Sequence, residues 1–131
     1  KWHVDFMPAM LESAALAQFI EEGHFERHLR RMRALYAEKR NVLVGALQRH
    51  LPGALATPVP PGGMKLAVNV PRPIGREEAL HRAAKVGVRM MDPGHCYTDP
   101  TKAPNRLLMG FASPPIGQLE DAVRRIAGAW K

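Results

Sequence analysis

The chain has 131 residues, 46% hydrophobic and 24% charged, the composition of one globular domain. Nineteen Lys and Arg residues against twelve Asp and Glu residues give a net charge of +7 and a pI near 10.2, which favours polyanionic partners without specifying a fold. The single cysteine, Cys96, excludes an internal disulfide and indicates a cytoplasmic protein. No apolar run reaches the ~20 residues of a membrane helix. No apolar run follows Lys1–Asp5 as it would in a signal peptide.

The first part of the chain is predicted to form two helices. Apolar residues recur at intervals of three and four over Leu11–Ile20, Gly23 interrupts them, and a second apolar stripe follows over Phe25–Leu47. The sequence Leu51-Pro52-Gly53 ends this pattern, because proline lacks the amide hydrogen that a helix interior needs. A helix over 24–50 would be about 40 Å long, which suits a helix that links two domains.

Short strands are predicted in the remaining chain. They cover residues 54–57, 64–70, 88–91 and 106–112. The second strand places on one side the residues Met64, Leu66, Val68 and Val70, and on the other Lys65, Ala67 and Asn69. This alternation is typical of a sheet with one buried face.

Two further helices accompany these strands. One is predicted over 76–85 with Leu80, Ala83 and Ala84 directed inward. The last follows Gly117 and has on one face Leu119, Val123, Ile126, Ala127 and Trp130. The fold class that these elements predict is α+β, with helices packed on one face of a small, mostly antiparallel sheet.

Six histidines and one cysteine invite hypotheses of a metal site or a nucleophile. His24 and His28 lie four residues apart, which places both rings on one helix face. No third ligand stands at a companion spacing, so we interpret both as surface residues and expect no metal. His95 and Cys96 are sequence neighbours, which seldom face each other as base and nucleophile, so Cys96 is interpreted as an ordinary loop thiol.

The stretch Glu21–Arg40 carries six Lys and Arg residues and raises the question of nucleic-acid binding. No zinc-finger spacing or basic zipper accompanies it. The outward side of the predicted strand 64–70 also lacks the aromatic residues of sheet-type RNA-binding domains. Charge alone still supplies a non-specific attraction to nucleic acid.

One long run of residues carries a family resemblance. The sequence AALAQFIEEGHFERHLRRMR at Ala14–Arg33 is followed by Leu35–Arg40 and later by the strand Leu107–Ala112 with a last amphipathic helix. These features resemble the C-terminal subdomain of MocR-type regulators. Such regulators are GntR-family transcription factors whose effector domain resembles a class I/II aminotransferase of fold type I, and the resemblance covers essentially the whole chain.

The resemblance implies a larger parent protein. Pyridoxal phosphate would be bound through a lysine of a large domain, and DNA only through an N-terminal winged helix. Neither motif matches this sequence, so we expect no catalytic residue here and no cofactor bound covalently to this segment. The non-Met start agrees with a fragment. Residues 1–23 would link to the missing large domain of the same chain, and 24–131 would be the small domain, beginning with the linking helix 24–50.

The resemblance also implies a homodimeric parent without membrane contact, and it points to one site residue. In fold-type-I enzymes an arginine on the penultimate strand commonly holds the substrate carboxylate as a bidentate fork. Aligned on Gly110-Phe111-Ala112, this position is Leu108. Arg106 lies two residues earlier on the same strand face. It is either a substitute for that arginine or a surface residue at the strand end.

Three further residues are assigned to the effector site by the same resemblance. Gly63 and Met64 resemble the turn that borders the fold-type-I substrate pocket, and Tyr97 lies in the loop expected to face it. The Gly62-Gly63 pair is otherwise explained as a tight turn that needs a positive φ.

Three functions therefore stay open. The chain is the effector-sensing C-terminal subdomain of a MocR-like regulator, the small domain of a working aminotransferase, or a free-standing basic nucleic-acid-binding domain. The sequence upstream of Lys1 and a salt-dependent gel shift would separate them.

Overall fold

A computed structural model describes residues 9–131. Its helices are α1 (Met10–Glu21), α2 (His24–His50), α3 (Arg76–Lys85) and α4 (Ile116–Ala129), and its strands are β1 (Lys65–Asn69) and β2 (Arg106–Gly110). Two short 3-10 segments, Pro93–Cys96 and Pro100–Lys102, lie in the loop before β2. The chain divides into two compact units, the first ending at Leu35 and the second comprising Tyr36–Lys131. The predicted absence of a signal sequence at Lys1–Asp5 concerns residues outside the described range.

The first unit contains α1 and the beginning of α2. Gly23 separates the two helices with a φ of 72°, a conformation that favours glycine over other residues. No residue of α1 is buried, and its predicted apolar stripe is exposed, as 81% for Leu11 and 49% for Ile20 illustrate. The stripe therefore has no covering partner within residues 9–131.

The two strands of the second unit form an antiparallel ladder. Lys65 pairs with Gly110 at one end and Asn69 with Arg106 at the other. The inward residues are buried, namely Leu66, Val68, Leu107 and Met109. The outer face of the sheet consists of Lys65, Ala67, Asn69, Arg106, Leu108 and Gly110. The alternation predicted from the sequence is thus confirmed within the ladder.

The core of the second unit lies between this sheet and three helices. Its fully buried larger side chains are Leu43, Leu47, Leu66, Val68, Leu107, Phe111, Leu119, Val123 and Ile126. Trp130 follows α4 and is also buried, and its indole Nε1 donates to the Ala79 carbonyl at 3.0 Å. The α+β class predicted from the sequence is confirmed, with helices over one face of an antiparallel sheet.

Two of the predicted strands form only single bridges. Leu55, within 54–57, bridges Val68, and Met91, at the end of 88–91, bridges Leu108. In both cases a proline follows within three residues and cannot donate a ladder hydrogen bond, so pairing stops.

Three smaller predictions are corrected by the structure. Strand 106–112 ends at Gly110, although the Phe111 amide still donates to the Met64 carbonyl at 3.0 Å. Met64 is 53% exposed rather than inward, because it precedes the ladder. Ala84 is exposed, since α3 buries the face that carries Ala79 and Ala83.

No helix of residues 9–131 is both long and apolar enough to cross a membrane.

An ionic cluster joins the end of α2 to α4. Glu120 Oε1 accepts hydrogen bonds from His50 Nε2 at 3.0 Å and from Arg49 Nε at 3.3 Å. The bond from His50, followed by that from Arg49, holds the pKa of the Glu120 carboxyl below its ordinary value of 4.5. Because this pKa is lower in the folded state, the cluster stabilises the fold while Glu120 is ionised.

We expect this contribution to be present above the unfolded-state pKa and lost as the pH falls through the lower folded-state pKa. Urea unfolding from neutral pH to about pH 3 should therefore show a smaller acid-induced loss of stability in Glu120→Gln than in the wild type. Glu38→Gln is the matched control, since Glu38 is exposed and forms no ion pair within residues 9–131. An acid-induced loss of stability in Glu120→Gln as large as that of the wild type would contradict the assignment.

Candidate functional site

The outer face of the sheet carries the arginine singled out from the sequence. Arg106 Nε donates to the side-chain oxygen of Asn69, its cross-strand partner, at 2.7 Å. Leu108 lies two residues along β2 on the same face, opposite Ala67. The outer face therefore presents one guanidinium beside an apolar patch.

The environment of Arg106 leaves part of its guanidinium available. Arg106 is half-buried and forms no ion pair with a carboxylate of residues 9–131. Only its Nε has a hydrogen-bond partner in that range, the Asn69 amide oxygen. Because Asn69 engages only the Nε atom, the two terminal nitrogens are available to bind a carboxylate as a bidentate fork.

The turn before β1 contains the other two residues of the predicted pocket border. Gly63 has a φ of 95°, so the tight turn with positive φ is present at this glycine. The Met64 carbonyl accepts from the Phe111 amide, which ties the turn to the end of β2. Gly63 and Met64 thus lie at the Lys65–Gly110 end of the ladder. Arg106 lies at the opposite end, about 13 Å away along the strands.

Tyr97 lies in the long loop between α3 and β2 and is 43% exposed. No hydrogen bond of the described residues joins its side chain to Arg106, Gly63 or Met64. The four candidate residues therefore do not form one contiguous cluster within residues 9–131. A ligand contacting both Arg106 and the Gly63–Met64 turn would have to span the length of the ladder.

The loop that carries Tyr97 is held by Arg76, which sequence reasoning did not select. Its terminal nitrogens donate to the carbonyls of Pro100 at 2.9 Å and Pro104 at 3.1 Å. Its Nε lies 3.1 Å from Asp92 Oδ1, although the angle is too poor for a hydrogen bond. Arg76 therefore fixes both ends of the loop from the first residue of α3.

Lys39 is a second residue that sequence reasoning missed. It is the one buried charged residue of residues 9–131, with 7% of its surface exposed. Its ammonium donates to the carbonyls of Ala112 at 2.6 Å and Pro114 at 2.8 Å. The contact attaches α2 to the turn between β2 and α4. A sequence signal existed, because residue 39 fills the seven-residue gap in the apolar stripe between Tyr36 and Leu43.

One histidine of the pair on α2, His24, is engaged locally. His24 stacks on Phe19 with ring centroids 5.5 Å apart, and its two nitrogens lie 3.1 Å from Glu22 and 2.8 Å from Arg27. Within residues 9–131 no group of three His, Cys, Asp or Glu side chains is placed to hold a metal ion. Cys96 is exposed.

Comparison with known proteins shows that the chain is similar to part of several transcriptional regulators. No protein-family model matches it. It is 46% identical over 78 residues to the probable rhizopine catabolism regulatory protein MocR of Rhizobium meliloti, covering 60% of this chain and 16% of that protein. It is 30% identical over 118 residues to YdeL, an uncharacterized HTH-type transcriptional regulator of Bacillus subtilis (strain 168), covering 88% of this chain and 25% of that protein.

The chain is also similar to part of the solved structures of aminotransferases. LysN, the alpha-aminoadipate aminotransferase of Thermus thermophilus, is 25% identical and superimposes with a TM-score of 0.82, covering 98% of this chain and 33% of that one. The chain thus spans about a sixth to a third of the proteins it matches. It is an aminotransferase-like segment related to MocR-type regulators.

Proposed function

We propose that this segment is the C-terminal effector-sensing subdomain of a pyridoxal-phosphate-dependent MocR/GntR-type regulator. The observation that carries the proposal is the 46% identity over 78 residues with MocR. The DNA-binding part and the cofactor lysine would lie elsewhere in the parent protein, as would the large domain that completes the site. Ligand binding would shift the parent between open and closed forms and so report to the DNA-binding part.

The proposed role of Arg106 is to hold the carboxylate of the effector. Leu108 occupies the position of the arginine expected from the fold-type-I resemblance, so ordinary carboxylate recognition is absent at that position. The terminal nitrogens of Arg106, two residues away on the outer face, provide a fork that a lysine could not. Gly63, Met64 and Tyr97 would border the effector.

The cofactor would be attached outside this segment. Pyridoxal phosphate supplies an electron sink when bound to an enzyme, and it is held through a lysine. Lys39 is the buried lysine of residues 9–131, and two carbonyls occupy its ammonium, so it does not suit covalent attachment of the cofactor. The other described lysines are exposed at the surface of this segment.

A working aminotransferase is the second candidate parent. The TM-score of 0.82 with LysN over nearly the whole chain favours it. In that case the segment would close over an amino-acid substrate rather than report an effector. Formation of a keto acid by the parent protein would identify this alternative, whereas an upstream winged helix would identify the regulator.

The distribution of charge bears on the third candidate, a nucleic-acid-binding domain. Residues 1–35 carry five Lys or Arg and five Asp or Glu residues, so the first unit is neutral. Residues 36–131 carry fourteen against seven, which accounts for the whole net charge of +7. The arginine-rich start of α2 is therefore balanced by acidic neighbours, which weakens its attraction to nucleic acid.

The Arg106 assignment can be tested in the parent protein. Substitution Arg106→Gln should weaken binding of L-alpha-aminoadipate or L-leucine roughly 10- to 100-fold, because hydrogen bonds to charged groups contribute about 1.5–3 kcal/mol. Arg106→Lys should give an intermediate loss, since it keeps the charge without the fork. The change in cofactor absorbance during titration with each amino acid provides the measurement.

Arg72→Gln serves as the control, because Arg72 is exposed and lies in the turn after β1. It should bind both amino acids like the wild type. Wild-type affinity in Arg106→Gln would instead assign Arg106 to the strand-end surface.

A further inference from the structure

A cleft lies beside the Lys65–Gly110 end of the ladder, bounded by α4 and by the segment that follows α3. Its volume is about 1160 Å³, and ligand pockets are commonly about 300–1,000 Å³, so a small organic molecule fits. We call it the α4 cleft. Arg106 and Tyr97 do not line it, although Met64, which borders the proposed effector site, does.

The charged side chains of the α4 cleft are mainly cationic. Lys65 and Arg89 are exposed, line the cleft, and form no ion pair within residues 9–131. Arg125 also lines it and pairs with Asp121, whose other oxygen accepts from Arg124 at 2.6 Å. The lining therefore carries three positive charges and one carboxylate that is already shared by two arginines.

Three main-chain carbonyls of the cleft wall already accept hydrogen bonds. The carbonyls of Ala112 and Pro114 are both taken by the buried ammonium of Lys39. The carbonyl of Met64 is taken by the amide of Phe111. Among the charged side chains that line the cleft, only Asp121 is an acceptor, and the other three are donors. The Lys39 contact thus helps to fix this part of the cleft wall.

From this arrangement we infer that the α4 cleft binds a small organic anion with at least two negative charges, such as a phosphate ester or a polycarboxylate. Residues 36–131 carry the whole net charge of +7, so the positive charge of the cleft belongs to a unit that is cationic as a whole. Such a ligand would be bound by Lys65, Arg89 and Arg125, and charge-assisted hydrogen bonds would provide most of its affinity. The inference goes beyond the proposed effector function and does not depend on Arg106.

Nuclear magnetic resonance titration of the 15N-labelled 131-residue chain tests the inference at constant ionic strength. Inorganic pyrophosphate is the probe in one arm and citrate in the other, which distinguishes phosphate from carboxylate ligands. Saturable shifts of the amides of Arg89, Gly110 and Ser113 with either anion would support the inference. The anion that binds more tightly gives the ligand class.

Two double variants with the same change of net charge provide the comparison. Lys65→Gln/Arg89→Gln should weaken binding at least about tenfold, equivalent to about 1.4 kcal/mol. Arg72→Gln/Lys131→Gln removes two exposed cations outside the cleft and should bind like the wild type. All four positions are exposed, and an unchanged indole resonance of Trp130 would verify that each variant is folded.

Three results would overturn the inference. These are the absence of saturable shifts with both anions, equal weakening in the two double variants, and loss of pyrophosphate binding in Arg106→Gln. The second would assign the effect to general surface charge. The third would move the anion to the outer face. Failure of the effector proposal alone would appear only in the amino-acid titrations of the parent, so the two failures are distinguishable.

Discussion

Replacing Trp130 with alanine is expected to lower the free energy of unfolding of the second unit by about 3–5 kcal/mol. Trp130 is 4% exposed and belongs to the core shared by the sheet and helices. Its indole also donates to the carbonyl of Ala79 in α3, so truncation removes both packing and a buried hydrogen bond. For a domain of this size the melting temperature should fall by more than about 10 °C.

Trp130→Phe separates the two contributions. It keeps most of the apolar burial and removes the indole donor, so it should cost only about 1–2 kcal/mol. Urea unfolding monitored by circular dichroism measures both variants on the same scale. A loss below about 1 kcal/mol in Trp130→Ala would show that the end of α4 does not anchor α3 in solution.

Replacing Lys39 with methionine is expected to cost about 1–3 kcal/mol, because it leaves two part-buried carbonyl groups unsatisfied. Methionine has a similar length and removes the ammonium, which leaves the carbonyls of Ala112 and Pro114 without their donor. The apolar burial of methionine offsets part of the loss from these two groups. Urea unfolding is the measurement. Amide hydrogen exchange should also accelerate in the turn between β2 and α4.

Lys65→Met is the matched control for the chemical change. Lys65 is exposed and donates to no carbonyl within residues 9–131, so its substitution should change stability by no more than about 0.5 kcal/mol. Lys39→Arg tests the charge, because guanidinium nitrogens can also donate to carbonyls, although the larger group has to fit. Wild-type stability and exchange in Lys39→Met would exclude the anchoring role.

The long helices could be predicted from the sequence almost to the residue. Predicted helices over 24–50 and 76–85 coincide with α2 and α3. Both have an apolar stripe with helical spacing, and proline or glycine stands at their ends, so local information is sufficient. The strands were predicted less well. Residues 54–57 and 88–91 form single bridges, because the extent of pairing depends on neighbours that are distant in the chain.

The candidate site was predicted in part. The sequence placed Arg106 and Leu108 on one strand face, and the alternating burial of β2 confirms that placement. It did not indicate that Asn69 would hold the Arg106 side chain, since the partner is set by the register of β1 against β2. The roles of Arg106, Gly63, Met64 and Tyr97 in ligand binding stay predictions.

The spacing of apolar residues and the positions of proline and glycine in the sequence by themselves determined the helices, the α+β class and the inward side of β1. These features depend on interactions between residues a few positions apart, which the order of residues records directly. Only the tertiary structure decided that Lys39 is buried against the β2–α4 turn and that the unpaired cations Lys65 and Arg89 share one cleft. The reason is that burial and charge pairing depend on which distant segments meet in space, and a basic residue is predicted at the surface until its partners are known.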